Sequence, residues 1–311
     1  MKNQRVLITG CAGRVGAAIA LELARDNEVH GIDRSGGAAR QHLEQAGVVF
    51  HEMKLGRDTL GPLPERVDYV FHQAVTWTIR NTEEEREAYL VSVKGVVDLL
   101  KKYQHSAKRF VLGSTGGVCA PSDQPVGERE LRQPDATPYH SYKFGMEVVG
   151  EVFADTEGAD VVIARYYWPW SEHNGFPHTW VIVPLLRNQP VSICKERPNR
   201  FTPIFMPDCV RYTVGLAERP FTPRIVNIAG CEAVSIEDMA RITADILGVE
   251  PTFTNGRAEM PRFLGDASLL VSLLGPPQYN MRQALDAAVC WHREHPDEHK
   301  RRDIFDAPGN W

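Results

Sequence analysis

No apolar run in this 311-residue chain approaches the roughly 20 residues that span a bilayer. The opening M-K-N-Q-R-V-L-I-T-G is apolar over too short a stretch for the core of a signal peptide. Basic blocks are missing as well. Lys and Arg number 35 against 40 Asp and Glu, a net charge of −5, so neither nucleic acid nor an anionic membrane is expected as a partner. Cysteine is sparse: Cys11, Cys119, Cys194, Cys209, Cys231 and Cys290 form no close pair and no metal-ligand spacing. They read as reduced thiols of a cytoplasmic protein. The charged end H-R-E-H-P-D-E-H-K-R-R-D offers His292, His295 and His299. Pro296 interrupts the helix that would align them, and mixed charge near a terminus reads as a solvated face, so no metal is expected. Internal repeats and low-complexity linkers are also lacking.

What remains is an ordinary globular composition, 43% hydrophobic and 24% charged, with enough chain for one large domain or two modest ones. Strand-like runs at Arg5–Thr9, Glu28–Asp33, Val48–Met53, Val67–His72, Arg109–Gly113 and Asp160–Tyr166 alternate with helical patterns. The helices are expected at Arg14–Arg25, Ala38–Ala46, Thr82–Lys102 and Tyr139–Phe153, the third with Leu90, Val93, Val97 and Leu100 along one face. This alternation predicts an α/β fold, a Rossmann-type doubly wound parallel sheet. After Trp168 prolines multiply and the pattern loosens, with helices at Pro177–Arg187, Ser235–Leu247 and Met281–His295. Ser235 followed by Asp238 reads as a helix cap. Residues 1–167 are therefore expected to be the cofactor domain, with some later segments returning to it, and 168–311 a smaller mixed α/β substrate lobe.

Thr9–Gly16 reads T-G-C-A-G-R-V-G between the first strand and its helix. Gly10, Gly13 and Gly16 permit a tight turn and let backbone approach a pyrophosphate at the helix N-terminus. Cys11, Ala12, Arg14 and Val15 complete that turn. Asp33 ends the second strand, 20 residues after Gly13. A carboxylate there accepts from the ribose hydroxyls and repels a 2′-phosphate, which favours NAD over NADP; Arg34 beside it suits adenine or a phosphate.

At 113–119, G-S-T-G-G-V-C closes the fifth strand, and Thr115, with Ser114 as its neighbour, is the expected hydroxyl donor to a substrate oxygen. Tyr139 and Lys143 stand one helical turn apart, 24 residues beyond Thr115. An ammonium near a phenol favours the phenolate and makes it a proton-transfer group.

These motifs together resemble the extended short-chain dehydrogenase/reductase family, its NAD-dependent epimerase/dehydratase group, most strongly from Arg5 to Arg165. The matches are the glycine turn, F-H-Q-A at 71–74, Ser114-Thr115 with Val118, Tyr139 with Lys143 and Glu147, Arg165, and D-A-S-L-L-V-S-L-L-G at 266–275. The resemblance implies Thr115, Tyr139 and Lys143 as catalytic, with Lys143 also on the nicotinamide ribose. It places Leu55, Gln73, Ala74 and Tyr166 at the cofactor. It also implies a homodimer through the helices at Thr82–Lys102 and Tyr139–Phe153.

Departures narrow the substrate. Dehydratases of the group carry an acidic pair where this chain has Gly116 and Gly117, which argues against dehydration. W-P-W at 168–170 replaces an Asn that helps hold a diphosphate, and C-K-E-R-P-N-R at 194–200 replaces a glycine-rich turn. Arg200 and Arg257 suit a phosphate or carboxylate, while Trp168, Trp170, His173, His178 and Trp180 are either stacking surfaces or core. Ser114, Gly116, Trp168, Arg200 and Arg257 are thus the candidate substrate contacts. The expected activity is NAD-dependent redox chemistry on a secondary alcohol of a sugar-like molecule, foremost a nucleotide-sugar epimerase. A net dehydrogenase or reductase of a small polyol, uronic acid or hydroxy acid is the alternative, and an NAD-sensing regulator a third.

Overall fold

A computed structural model describes residues 1–37, 39–76, 81–133, 137–220, 223–260 and 262–296. In chain order it has β1 (Arg5–Thr9), α1 (Arg14–Leu23), β2 (Glu28–Asp33), α2 (Ala39–Gln45), β3 (Val49–Glu52), β4 (Tyr69–His72), α3 (Thr82–Tyr89) and α4 (Gly95–Tyr103). There follow β5 (Arg109–Thr115), α5 (Pro138–Thr156), β6 (Val161–Tyr166), α6 (Val183–Leu186), β7 (Val191–Ile193), β8 (Arg200–Phe201) and α7 (Met206–Glu218). The chain closes with β9 (Ile225–Ile228), β10 (Val234–Ser235), α8 (Ile236–Leu247), β11 (Phe253–Asn255), α9 (Ser268–Leu274) and α10 (Met281–Glu294).

The main sheet has the order β3-β2-β1-β4-β5-β6-β9, and every pairing from β3 to β6 is parallel. This is the doubly wound arrangement that the alternating pattern predicts. Its order reverses at β1, so the carboxyl ends of β1 and β4 form the switch point where such sheets take ligands. The strands are apolar throughout because helices cover both faces: Leu7, Ile32, Val70, Phe110, Leu112 and Ile163 are buried against Leu99, Leu100, Tyr103 and Met146.

The chain divides into two units. The first holds Met1–Ala120, Leu131–Tyr166 and Val210–Val226; the second holds Pro121–Glu130, Tyr167–Cys209 and the described residues from Asn227. The second has its own core around Trp170, Phe201, Phe205, Met239 and Leu285. Among the described residues no helix is long and apolar enough to cross a membrane.

Local signals explain several boundaries. Asn81 caps α3 by accepting from the nitrogens of Glu83 and Glu84, and acidic residues fill that first turn. Ser235 and Asp238 form the expected capping box on α8, with Asp238 N donating to Ser235 Oγ at 3.0 Å and Ser235 N to Asp238 Oδ2 at 2.8 Å. The single helix expected over Thr82–Lys102 is instead α3 and α4 joined by a wider π turn at Leu90–Lys94. There the Gly56 backbone, at φ +79, presses so close that a Cβ on it would collide with the Leu90 carbonyl. The extra residue shifts the helical phase, so the buried face runs through Ala88, Ser92, Val96, Leu99 and Leu100, and of the expected stripe only Leu100 is fully buried. A similar π turn, His178–Ile182, precedes α6. Ala38 and His299 lie outside the described residues.

Candidate active site

The turn after β1 requires its glycines. Gly10 has φ +68, and a Cβ there would lie 2.6 Å from the Ala74 nitrogen. A Cβ on Gly16 would collide with the Gly10 carbonyl. Gly13 is the N-cap of α1 and supplies no side-chain cap, so Arg14 and Val15 open the helix with backbone donors that no capping side chain covers. Ala12 N donates to Asp33 Oδ2 at 3.0 Å and Arg34 N to Asp33 Oδ1 at 2.8 Å, which pins the turn to the end of β2. Each carboxylate oxygen keeps a lone pair for a further donor. Arg34 is exposed. Cys11 is buried, and burial, with the Asp33 charge adding, pushes its thiol up to about 12. Leu55 contributes no side chain here: it is 5% exposed and packs against Gly95, where a Cβ would lie 2.6 Å from Leu55 Cγ.

At the end of β4, Thr9 Oγ1 meets His72 Nδ1 at 2.8 Å and accepts from Ala74 N at 3.3 Å. Burial holds the His72 imidazole well below its usual range, with the Lys143 charge adding, so His72 is neutral. Gln73 Nε2 is buried and has no partner among the described residues. A glycine cradle that no Cβ could share, an uncapped helix N-terminus and this unused amide donor fit a dinucleotide. Tyr166 was expected beside the cofactor. Its hydroxyl instead lies 3.2 Å from Thr213 Oγ1 in the interior, and its ring lies against Gly113.

Thr115 ends β5, and its Oγ1 accepts from Gly117 N at 3.3 Å. Its hydroxyl also hydrogen-bonds Tyr139, which sits in the first turn of α5 after the Thr137 cap and Pro138. The Tyr139 side chain is half-buried. One turn on, Lys143 is 3% exposed and donates through Nζ to the Gly113 carbonyl at 2.6 Å.

The electrostatics differ from the expectation that Lys143 lowers the phenol. Burial raises the Tyr139 pKa, opposed only by the Thr115 hydrogen bond. Burial also pulls the Lys143 ammonium down to about 7, opposed by Glu147. Desolvation outweighs pairing because both groups titrate inside the protein. The Lys143 shift has a consequence for stability. The folded chain releases this proton near pH 7, the unfolded chain near its ordinary value of 10.5. Between those values the unfolded state binds more protons, so Lys143 makes stability rise with pH, by at most about 1.4 kcal/mol per pH unit. Urea unfolding at about pH 7 and about pH 9 should show a rise that Lys143→Met flattens; an identical slope in the variant would refute it.

Behind this pair lies a network that the sequence reading named only in parts. Glu147, one turn past Lys143 and fully buried, takes Arg165 Nε on Oε1 at 2.9 Å and Arg165 Nη2 on Oε2 at 2.8 Å. Ser114 Oγ donates to Glu147 Oε1 at 2.6 Å. Ser114 is therefore committed to the interior and is not a substrate contact. Arg132 Nη1 reaches Glu147 Oε2 at 3.4 Å and Glu151 Oε2 at 2.6 Å. Gly116 is buried in the short 3₁₀ turn Gly116–Val118 and brings no side chain to the site.

The remaining candidates lie in the second unit. Trp168 has φ +52, unusual for a bulky residue, and packs edge-on against Phe176 and Phe201 with ring centroids 5.4 and 4.9 Å away. Trp170 and Trp180 are buried in the core. His173 packs on Trp291, and His178 Nδ1 lies 2.9 Å from His292 Nε2. His295 stacks on Trp291. Arg257 is half-buried, its guanidinium 3.9 Å from the Trp180 ring centroid and its Nε donating to the Ser192 carbonyl at 3.2 Å. Arg200 is exposed and donates to the Ala233 carbonyl at 3.0 Å.

Residues 6–229 match the NAD dependent epimerase/dehydratase family. The chain belongs to that family. It is 26% identical over 266 residues to a protein of Bacillus subtilis described as the uncharacterized UDP-glucose epimerase YtcB, covering 80% of this chain and 84% of that one. Its fold is that of a UDP-glucuronic acid 4-epimerase from Bacillus cereus solved with UDP-glucuronic acid and NAD, at TM-score 0.80 and 22% identity over 94% of this chain and 99% of that one. It is equally the fold of TunA, an NAD-dependent NDP-hexosamine 5,6-dehydratase, at TM-score 0.76 and 22% identity over 98% of this chain and 100% of that one.

This family and that neighbour correct one expectation. Gly116 and Gly117 do not exclude water elimination, because the family embraces dehydratases and a dehydratase shares this fold across the whole chain. In the folded chain, the space a side chain at 117 would take is filled by His140.

Proposed function

We propose that this protein is an NAD-dependent nucleotide-sugar epimerase acting on a secondary alcohol. The observation that carries the reading is the Tyr139 hydroxyl bonded to Thr115 at the end of β5, with Lys143 anchored one turn behind it on Gly113. β1, β4 and β5 are neighbours in the sheet, so the glycine turn, Gln73 and Thr115 all follow the same carboxyl edge. The chemistry that NAD supplies when bound is reversible acceptance of hydride from the carbon bearing the hydroxyl. Tyr139 takes the hydroxyl proton and returns it, and Thr115 orients the oxygen. The positive charge of an oxidised nicotinamide offsets the burial that raises the phenol's pKa. Lys143, poised near neutrality, donates to the nicotinamide ribose.

Gly10, Cys11, Ala12, Gly13, Arg14, Val15 and Gly16 cradle the pyrophosphate in this reading, Asp33 and Arg34 face the adenosine end, and Gln73, Ala74 and the Leu55 backbone line the rest. We assign cofactor binding to the first unit, to which Val210–Val226 returns, and substrate binding to the second, where Arg200, Arg257 and Trp168 are the groups suited to a phosphate and a ring face. The curated relative's description as a UDP-glucose epimerase supports the choice of substrate class. The test is incubation of the purified protein with UDP-glucose and with UDP-glucuronic acid. Inversion at carbon 4 without accumulating NADH is the expected result; stoichiometric NADH would make it a net dehydrogenase instead.

We also infer a cytoplasmic homodimer. The six cysteines form no disulfide. Val148 and Val152 are 39% and 49% exposed one turn apart on α5, and Tyr89 at the end of α3 is 48% exposed. Light scattering should report a dimer that Val148→Glu with Val152→Glu converts to monomer; a wild-type monomer would refute this.

A further inference from the structure

The turn Gly116–Val118 carries no ionisable side chain, yet one stands on it. A Cβ on Gly117 would collide with His140 Nε2 and come within 2.7 Å of His140 Cε1. The imidazole tip thus occupies the volume a side chain at 117 would fill. His140 directly follows Tyr139 on α5, their ring centroids 5.3 Å apart, and it is half-buried. Its backbone nitrogen donates to the Thr137 cap at 3.4 Å, which fixes it in the first turn of the helix. The same 3₁₀ turn holds Thr115 through Gly117 N at 3.3 Å, and Thr115 holds the Tyr139 hydroxyl. Three proton-bearing side chains therefore gather at the carboxyl end of β5: Thr115, Tyr139 and His140.

Alcohol oxidation uses only two of them. Tyr139 handles the hydroxyl proton and Thr115 orients the oxygen. Imidazole is a base suited to neutral pH, and a carbon beside a newly formed ketone is the acidic site such a base would serve. We infer that His140 is the acid–base group that removes and returns the proton on the carbon adjacent to the one oxidised. This rests on the function proposed above.

The step balances without a new reagent. NAD is the oxidant and is reduced in the preceding alcohol oxidation. The adjacent C–H bond then breaks and its electron pair forms the carbon–carbon double bond of an enol. The carbonyl π pair moves to oxygen, which takes the Tyr139 proton, and the carbon's proton goes to the His140 imidazole. Reprotonation by the imidazolium reverses the step with hydrogen exchanged from solvent. Oxidation state is unchanged throughout, and the hydride returns afterwards to the ketone carbon.

The experiment uses the NAD-loaded protein in D₂O with UDP-glucose and with UDP-glucuronic acid. It reads deuterium beside the oxidised carbon by mass spectrometry and NMR, and hydride transfer by transient NADH absorbance. The expected result is deuterium in the recovered sugar nucleotide. His140→Gln lowers exchange relative to hydride transfer by about 10²-fold or more. The double variant His140→Gly with Gly117→Glu restores exchange with its pH profile displaced to lower pH, as a carboxylate base requires. Hydride transfer without deuterium in the wild type overturns the inference and leaves the proposed function standing, as does equal relative exchange in His140→Gln. Hydride transfer absent with both sugar nucleotides overturns the proposed function, and the inference with it.

Discussion

Tyr139→Phe lowers turnover by about 10²–10⁴-fold while leaving NAD retention unchanged. The substitution removes one oxygen and keeps the ring, so packing around α5 is preserved. What disappears is the phenol hydroxyl bonded to Thr115 at the end of β5. No other described group takes its place on the substrate oxygen. Lys143 is tied to the Gly113 carbonyl, and His72 is buried against Thr9. Chromatography of the sugar nucleotides measures turnover, and the nucleotide released on denaturation measures retention. Full activity in the variant would remove Tyr139 from the mechanism. Loss of NAD together with activity would make it a cofactor-binding residue instead.

Glu147→Ala is expected to destabilise the protein by about 3–5 kcal/mol. Glu147 and Arg165 are both fully buried, and the carboxylate accepts two hydrogen bonds from Arg165, a longer one from Arg132 and one from Ser114. Deleting it strands the Arg165 charge in the interior of the sheet and leaves Ser114 without its acceptor. The paired control is Glu151→Ala. Glu151 shares Arg132 with Glu147 but its side chain is 25% exposed, so its loss should cost about 0–1 kcal/mol. Urea unfolding, followed by a probe in the first unit, compares the two. Similar midpoints for both variants would show that the buried pair contributes little. The network also bears on catalysis, because Glu147 is the charge that opposes the depression of the Lys143 pKa.

Much of this protein could be read along the chain. The glycine turn, the alternation of strands and helices, and the Tyr139–Lys143 spacing are local patterns, and they led to the doubly wound sheet and the family. The Ser235–Asp238 cap is another, since it needs residues only one turn apart. The misreadings have a common cause. The resemblance placed Leu55 and Tyr166 at the cofactor, but whether a side chain faces ligand or core depends on what packs across from it. For Leu55 that is Gly95 on α4; for Tyr166 it is Thr213 on α7. Ser114 was assigned as a neighbour of Thr115, yet successive strand residues point to opposite faces, and its face meets Glu147.

The amino-acid order by itself determined the strand–helix alternation of the first half of the chain, where the glycine turn lies, and that a phenol and an amine share one helical face. Tertiary structure alone decided their protonation. Burial raises Tyr139 and pulls Lys143 to about 7, because desolvation sums over atoms contributed by many distant segments. It also decided that His140 fills the place left by Gly117, since two residues 23 positions apart meet only when α5 docks beside β5.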